Sequence, residues 1–255
     1  MIVFPMAGRS ARFRKAGYGA DKFMLEAHGR TLFAFAVGGF AERIGRESIL
    51  FVHRGGADTR AFIDRECARL GFASDDYAAV ALETPTRGQA ETVALGLEVA
   101  GADADAPLTI FNIDSFRPGF RHPPVANERG VDGYLEIFRG EGDQWSFVRL
   151  AADGTAAEVA EKRRISDLCS TGLYHFRRAG DFLDAFHRER VKDADALSGG
   201  ELYVAPLYNL LIADGKAIGH HEIPREDVIF CGVPAEYEAF VAAPCPFFPP
   251  DFRVD

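Results

Sequence analysis

Residues 1 to 22 carry five basic side chains, Arg9, Arg12, Arg14, Lys15 and Lys22, against one acid, Asp21. The chain as a whole is acidic, with a formal net charge of −9 at pH 7. A local surplus of cations in an acidic chain suits a phosphorylated ligand, because Arg forks onto phosphate oxygens and Lys meets them as a point charge. The same segment places Ala7-Gly8-Arg9-Ser10 just after a short apolar run, Ile2-Val3-Phe4. A glycine there lets the backbone approach a ligand, and successive backbone N–H groups form an anion-binding nest.

Three further groupings carry chemistry. Asp114 closes the apolar stretch that starts at Leu108. A carboxylate at such a strand end suits Mg²⁺, which takes one or two carboxylates together with substrate phosphates. Arg87-Gly88-Gln89 lies between a strand and a helix. Gly88 leaves room for a flat ring, and Gln89 offers a donor and an acceptor to a base edge. Glu161-Lys162 ends another strand and is followed by Ser170-Thr171-Gly172. There a carboxylate can accept sugar hydroxyls and a lysine can meet a phosphate. Taken singly, each grouping also fits a plain structural role as a turn, a helix cap or a charged strand end.

Several function classes fall away. The acidic balance disfavours nucleic acid as a partner. There is no GxSxG elbow and no GxxxxGK[ST] loop, so neither acyl transfer of that kind nor P-loop ATPase chemistry is supported. His220-His221 lacks companions at metal spacing and reads as strand surface. Cys67, Cys169, Cys231 and Cys245 show no CxxC spacing, which suits free thiols in a reducing cytoplasm. The opening MIVFPMAGRS has no basic region followed by a long apolar one, so no secretory signal is expected. No apolar run approaches the roughly 20 residues a membrane helix needs. Neither a heptad seam nor an isolated apolar patch speaks to assembly, and a homo-oligomer stays open.

The elements that must position these groups follow from periodicity. At 47% hydrophobic and 26% charged, the 255 residues are ordinary for a soluble chain with a sizeable core. Ile2–Phe4, Ile49–Val52, Tyr77–Leu82 and Leu108–Phe111 read as strands. Helix faces alternate with them: Phe33, Val37, Phe40 and Ile44; then Ile63, Cys67 and Leu70 with Gly71 as cap; then Ala90, Val93, Leu97 and Ala100. That alternation predicts a doubly wound, mainly parallel α/β sheet. The second half reads as strands at 134–138, 145–150, 157–162 and 173–176, with turn chemistry at Ala152-Asp153-Gly154-Thr155, so a mixed sheet is expected there. Helices are expected near 182–187, 204–212 and 235–241. Residues 1–240 are read as one domain of two halves, 1–130 and 131–240. Residues 241–255 are read as a Pro-rich tail.

In this order the groupings resemble the sugar-1-phosphate nucleotidylyltransferases, in particular a branch that serves capsule and surface polysaccharides. Gly8-Arg9-Ser10-Ala11-Arg12-Phe13 with Asp21-Lys22 looks like the family's phosphate loop. Gly17-Tyr18, Gly88–Val93, Asn112–Phe116, Glu161-Lys162, Ser170–Tyr174 and Glu201 with Tyr203–Asn209 continue the likeness. The resemblance implies a Rossmann-like α/β/α fold of the type shared with GT-A glycosyltransferases. It implies Mg²⁺-dependent joining of an NTP to a phosphorylated acceptor, most naturally a sugar 1-phosphate, with pyrophosphate released. By it, Ala7, Gly8, Arg9, Ser10, Gly88 and Gln89 bind the nucleotide. Arg12 and Lys22 grip the phosphates and Asp114 binds Mg²⁺. Glu161, Lys162, Thr171 and Gly172 face the acceptor. Two positions depart from the pattern: Asp21 stands where a Pro usually precedes the lysine, and Phe230 stands where a second metal-binding Asp is expected. A GT-A glycosyltransferase and a nucleotide-binding module without turnover are the alternative readings. The base and the acceptor stay open.

Overall fold

The structure is a computed structural model and describes residues 1–245. In chain order, β1 (Ile2–Met6) leads into α1 (Ala11–Lys15), a small hairpin of β2 (Glu26–Ala27) and β3 (Arg30–Thr31), and α2 (Leu32–Gly38). Then come β4 (Ile49–Arg54), α3 (Ala57–Arg69), β5 (Tyr77–Leu82), α4 (Gln89–Ala100), β6 (Leu108–Phe111) and β7 (Ser115–Phe116). The second half holds β8 (Gly133–Arg139), β9 (Ser146–Leu150), β10 (Ala156–Glu161) and β11 (Leu168–Phe176). It ends with α5 (Ala179–Glu189), α6 (Tyr208–Ala213), β12 (Ile218–Glu222), β13 (Ile229–Phe230) and α7 (Pro234–Ala242).

Nine strands form one mixed sheet. Strands β5, β4, β1 and β6 are parallel neighbours, and β11 joins β6 antiparallel. Strand β8 pairs with β11 on its far side, and β12 runs parallel to β8. The β9–β10 hairpin adds to the start of β11. The chain moves from β1 to β4 to β5 and then crosses back to place β6 on the other side of β1. That reversal opens a crevice at the carboxyl ends of β1 and β6, where open α/β sheets bind ligands. The sheet runs unbroken across the boundary expected at residue 130.

Period-two alternation splits each buried strand between two cores. Val3, Leu50, Val52 and Ile110 pack with Val93 and Leu97 of α4 and with Phe182, Phe186 and Tyr208. Ile2, Phe4, Phe51 and Phe111 face the opposite layer, which is rich in aromatic rings from α2, α3 and α7. The helix face expected through Ile44 is shorter than its spacing suggests. Helix α2 stops at Gly38 because the backbone of residues 117–120 packs against Gly39, where a Cβ would stand 2.4 Å from the Arg117 carbonyl oxygen. Phe40 is still fully buried, edge-on to Phe4 and against Phe120, but outside the helix. The expected tail starts later than residue 241, since α7 runs to Ala242, and the stretch 246–255 lies outside the described residues. None of the four cysteines is in a disulfide, and Cys67, Cys169 and Cys231 are buried. Among the described residues no helix is long and apolar enough to cross a membrane.

A polar cluster crosses the sheet at the end of β6 away from the crevice. The Thr109 hydroxyl and His175 Nδ1 are 3.0 Å apart, and the His122 ring lies beside His175 with its Nε2 on Glu47 at 3.0 Å. Burial holds the His175 pKa down at about 3. An unfolded histidine titrates near 6.5, so below that pH the unfolded chain takes up a proton that the folded chain refuses. Stability is therefore expected to fall as pH drops, by at most about 1.4 kcal/mol per pH unit from this group. Urea unfolding from pH 7 to about pH 5 should show a shallower decline for His175→Asn than for the parent chain. Equal slopes would rule the assignment out.

Candidate active site

Three loops meet at the crevice. The first follows β1. Ser10 sits in the left-handed region with φ of 50°, and its Oγ accepts a hydrogen bond from the Lys22 N–H at 3.1 Å. Arg14 donates to the Gly19 carbonyl at 3.1 Å and to Asp21 at 2.9 Å. Asp21 thus ties down the far end of the loop by an ion pair, at the position where the resembled family has a proline. Phe13 and Tyr18 pack edge to face and both lie against Tyr237 of α7. The consequence is a fixed loop that presents Arg9, Arg12 and Lys22 to a cavity of about 980 Å³. Arg9 and Arg12 make no side-chain hydrogen bond or ion pair among the described residues. The Lys22 ammonium is paired with the Asp114 carboxylate.

The second loop follows β6. Asn112, Asp114 and Ser115 line the cavity floor. The Cys231 N–H donates to the Asp114 carbonyl at 2.8 Å, and β13 pairs Phe230 with Ser115. Phe230, at the position where the resemblance expects a second acid, thus lies across from the residue after Asp114 and lines the cavity. Its ring packs at a tilt of 48° against Trp145, 4.7 Å between centroids, and lies beneath the Arg225 guanidinium at 4.8 Å. Asp227 is exposed and outside the cavity lining. A different carboxylate lies near Asp114. The spot a Cβ on Gly232 would take is 3.2 Å from Asp114 Oδ2 and 3.6 Å from Glu236 Oε2. Glu236 caps α7, since its Oε2 accepts the Gly232 and Val233 N–H groups at 2.8 and 3.2 Å. Nothing in the spacing of the chain marked Glu236, because capping and cavity lining fall on one residue.

The third loop joins β5 to α4. The Gln89 amide donates to Asn112 Oδ1. Gly88 has φ of +152°, and a Cβ there would sit 2.5 Å from the Leu202 carbonyl oxygen. Close packing of the 200–203 segment accounts for this glycine before any base does: the Ala90 and Leu202 N–H groups bond to Leu202 and Arg87 carbonyls, both at 2.9 Å. Arg87 is held by Glu91.

The opposite wall comes from the antiparallel strands. Ser170-Thr171-Gly172 lies inside β11, which starts ahead of the strand expected at 173–176, and forms a bulge there. Ser170 pairs with Ile137 and Tyr174 with Leu135, so extra residues oppose Glu136. Gly172 takes φ of +88° with its α-carbon against the Asn112 side chain. The Thr171 hydroxyl donates to Glu136 at 3.2 Å, so Thr171 lines the cavity with its side chain already engaged. Glu136 is fully buried and also accepts two bonds from Arg117 Nε, at 3.0 and 3.1 Å. Burial raises its pKa, against the pull of Arg117 and Thr171.

Glu161 is 7% exposed and accepts a hydrogen bond from the Ser146 hydroxyl. Burial raises its pKa as well, while Ser146 and the Lys162 charge work the other way. Tyr174, pushed up to about 12 by burial, keeps its phenol proton. Lys162 has φ of 51° and donates to the Tyr203 hydroxyl. Trp145 and Ser146 belong to this wall without having been singled out, and Tyr203 joins them from a stretch quoted for the family likeness without a role. Trp145, the chain's single tryptophan, is held by its indole N–H on the Glu141 carbonyl at 2.9 Å. Ala7, Gly8, Arg9, Ser10, Arg12, Lys22, Gly88, Gln89, Asp114, Glu161, Lys162, Thr171 and Gly172 thus all lie on one cavity.

A solved structure from Vibrio cholerae RC9, a nucleoside-diphosphate-sugar pyrophosphorylase, matches with a TM-score of 0.87 and 48% identity over 94% of this chain and 99% of that one. The chain belongs to the nucleoside-diphosphate-sugar pyrophosphorylase family. It is an enzyme of the nucleotidyltransferase class. More distant structures share the fold. UTP-bound UGPase from Acinetobacter baumannii has a TM-score of 0.68 at 16% identity, over 94% of this chain and 91% of that one. The inositol-1-phosphate CTP transferase of T. maritima has 0.67 at 15%, over 92% and 89%. No protein-family profile and no curated protein matches the chain. In this family member the cavity at the β1–β6 switch point is the candidate active site.

Proposed function

We propose that the enzyme joins an NTP to a sugar 1-phosphate and releases pyrophosphate. One observation carries the reading: two guanidinium groups after β1, without an acidic partner among the described residues, share a cavity with a carboxylate after β6. In this reading a phosphate oxygen of the acceptor attacks the α-phosphorus in line. A P–O bond forms there as the bond to the β-phosphate oxygen breaks, and the electron pair leaves with pyrophosphate. A phosphate monoester is largely dianionic near neutral pH, so the attack needs no general base. That fits a cavity wall with no Ser–His or Cys–His pair among the described residues. Catalysis then rests on positioning and on charges fixed before the reaction.

The chain's residues divide the work. The backbone of Ala7, Gly8 and Ser10, with Arg9, cradles the triphosphate, and Arg12 neutralises charge on the departing pyrophosphate. Gly88 and Gln89 flank the base. Glu161 takes the sugar hydroxyls, Lys162 meets the sugar phosphate, and the backbone of Thr171 and Gly172 closes that side. Residues 1–130 form the nucleotide half and 131–240 the acceptor half.

A hard divalent cation fits the donor set: the Asp114 carboxylate lines the cavity and already carries a cationic stand-in, the Lys22 ammonium. If bound there, Mg²⁺ would neutralise phosphate charge. The product supplies an activated sugar to transferases that build capsule or surface polysaccharide in the cytoplasm.

The test is a pyrophosphate assay with Mg²⁺, five NTPs (ATP, CTP, GTP, UTP, dTTP) and a panel of sugar 1-phosphates. Release that requires both substrates is the expected result. Nucleotide binding without release would mark a module that has lost turnover. Sugar transfer from a nucleotide sugar would mark a glycosyltransferase.

A further inference from the structure

Lys22 and Asp114 occupy the two sides of the crevice, yet they are paired with each other. Of the three cations that the first loop sets on the cavity wall, Arg9 and Arg12 have no acidic partner among the described residues, and Lys22 has one. The backbone of Lys22 is fixed by Ser10, so its Nζ swings on a four-carbon stem from an anchored point. Asp114 is also short of help. Phe230 fills the neighbouring position, Glu236 spends Oε2 on two backbone N–H groups, and no group of three or more His, Cys, Asp or Glu among the described residues is placed to hold a metal.

We infer that Lys22 is a displaceable counter-ion for Asp114, which keeps a divalent cation off the carboxylate until a triphosphate enters with it. A bare cation meets one carboxylate that an ammonium already neutralises. A cation carried by a triphosphate brings its own oxygen ligands, and the phosphates give the Lys22 ammonium a new partner a short swing away. Cation and nucleotide therefore enter together, and neither site is complete alone. This rests on the reading of Asp114 as the metal carboxylate.

Mn²⁺ binding, read from the electron paramagnetic resonance signal of the free ion, tests the coupling without any turnover. Nucleotide-free parent enzyme is expected to bind Mn²⁺ weakly. Lys22→Met, which keeps the stem and removes the charge, is expected to bind it at least about tenfold more tightly without nucleotide, because a directly opposed unit charge is gone. Lys22→Gln is a second neutral variant should Met disturb the loop, and Lys22→Arg, which keeps the charge, should remain weak. Adding Asp114→Asn to Lys22→Met should abolish the gain. Equal Mn²⁺ affinity for the parent and both neutral variants would overturn the counter-ion role. The metal assignment fails separately: with the NTP chosen by the pyrophosphate assay present, an unchanged Mn²⁺ affinity in Asp114→Asn would remove Asp114 as a ligand.

Discussion

Asp114→Asn is expected to lower kcat/KM for pyrophosphate release by about 10² to 10³, with little change in melting temperature. Asparagine keeps the shape and loses the charge. The carboxylate faces Lys22 of the first loop, and in the proposed reaction it would also face the phosphates, so its loss would be felt where charge moves. The fold should survive, because the tie from the Cys231 N–H runs to the Asp114 backbone carbonyl and is untouched. The Lys22 ammonium, 23% exposed, can turn to water when its partner is gone. Steady-state kinetics with a thermal melt reads both sides. Parent-like turnover in this variant would contradict the catalytic role.

Arg117→Met should act in the opposite sense, on stability first. Glu136 has no exposed surface, and Arg117 is its cationic partner. Removing one member of a buried pair strands the other, at a typical cost of about 3–5 kcal/mol. The variant's stability should also depend on pH in a defined direction. Without Arg117 the folded Glu136 pKa rises further above its unfolded value, so the penalty is absent below the unfolded pKa near 4.5 and grows as pH climbs toward neutrality. The variant should therefore recover part of its deficit when urea unfolding is repeated at about pH 5 instead of pH 7. Arg117→Met with Glu136→Gln should be more stable than Arg117→Met alone. A deficit independent of pH would point away from a stranded carboxylate. Because Glu136 also holds the Thr171 hydroxyl, the pair fixes the β11 bulge that brings Gly172 against Asn112. The cavity wall formed by Thr171 and Gly172 thus depends on an ion pair outside it.

Much of this was legible in the chain because short-range patterns carry it. Four apolar runs alternating with helix faces gave the parallel half of the sheet, and groups at strand ends fell on one cavity because a doubly wound sheet gathers the carboxyl ends of its strands. Long-range packing was not legible in the same way. Helix α2 ends early where residues 117–120 cross Gly39, some eighty residues away in the chain. Gly88 looked like space for a base, and Leu202 explains it first. Ser170-Thr171-Gly172 has turn composition yet forms a bulge in a strand buried along its length. Arg117–Glu136 and Phe230–Trp145 join residues with no local signature. The loop around Asp21 is intermediate: the charge surplus was visible, but which cation Asp21 would take was not.

The most direct measurement is a crystal structure of the enzyme with its NTP and Mn²⁺, with the metal located by anomalous scattering. The account predicts the metal on the Asp114 carboxylate, the triphosphate along Gly8 to Arg12, and the Lys22 ammonium moved from Asp114 onto phosphate. A triphosphate bound elsewhere, with no cation near Asp114 and the Lys22 pair intact, would contradict it.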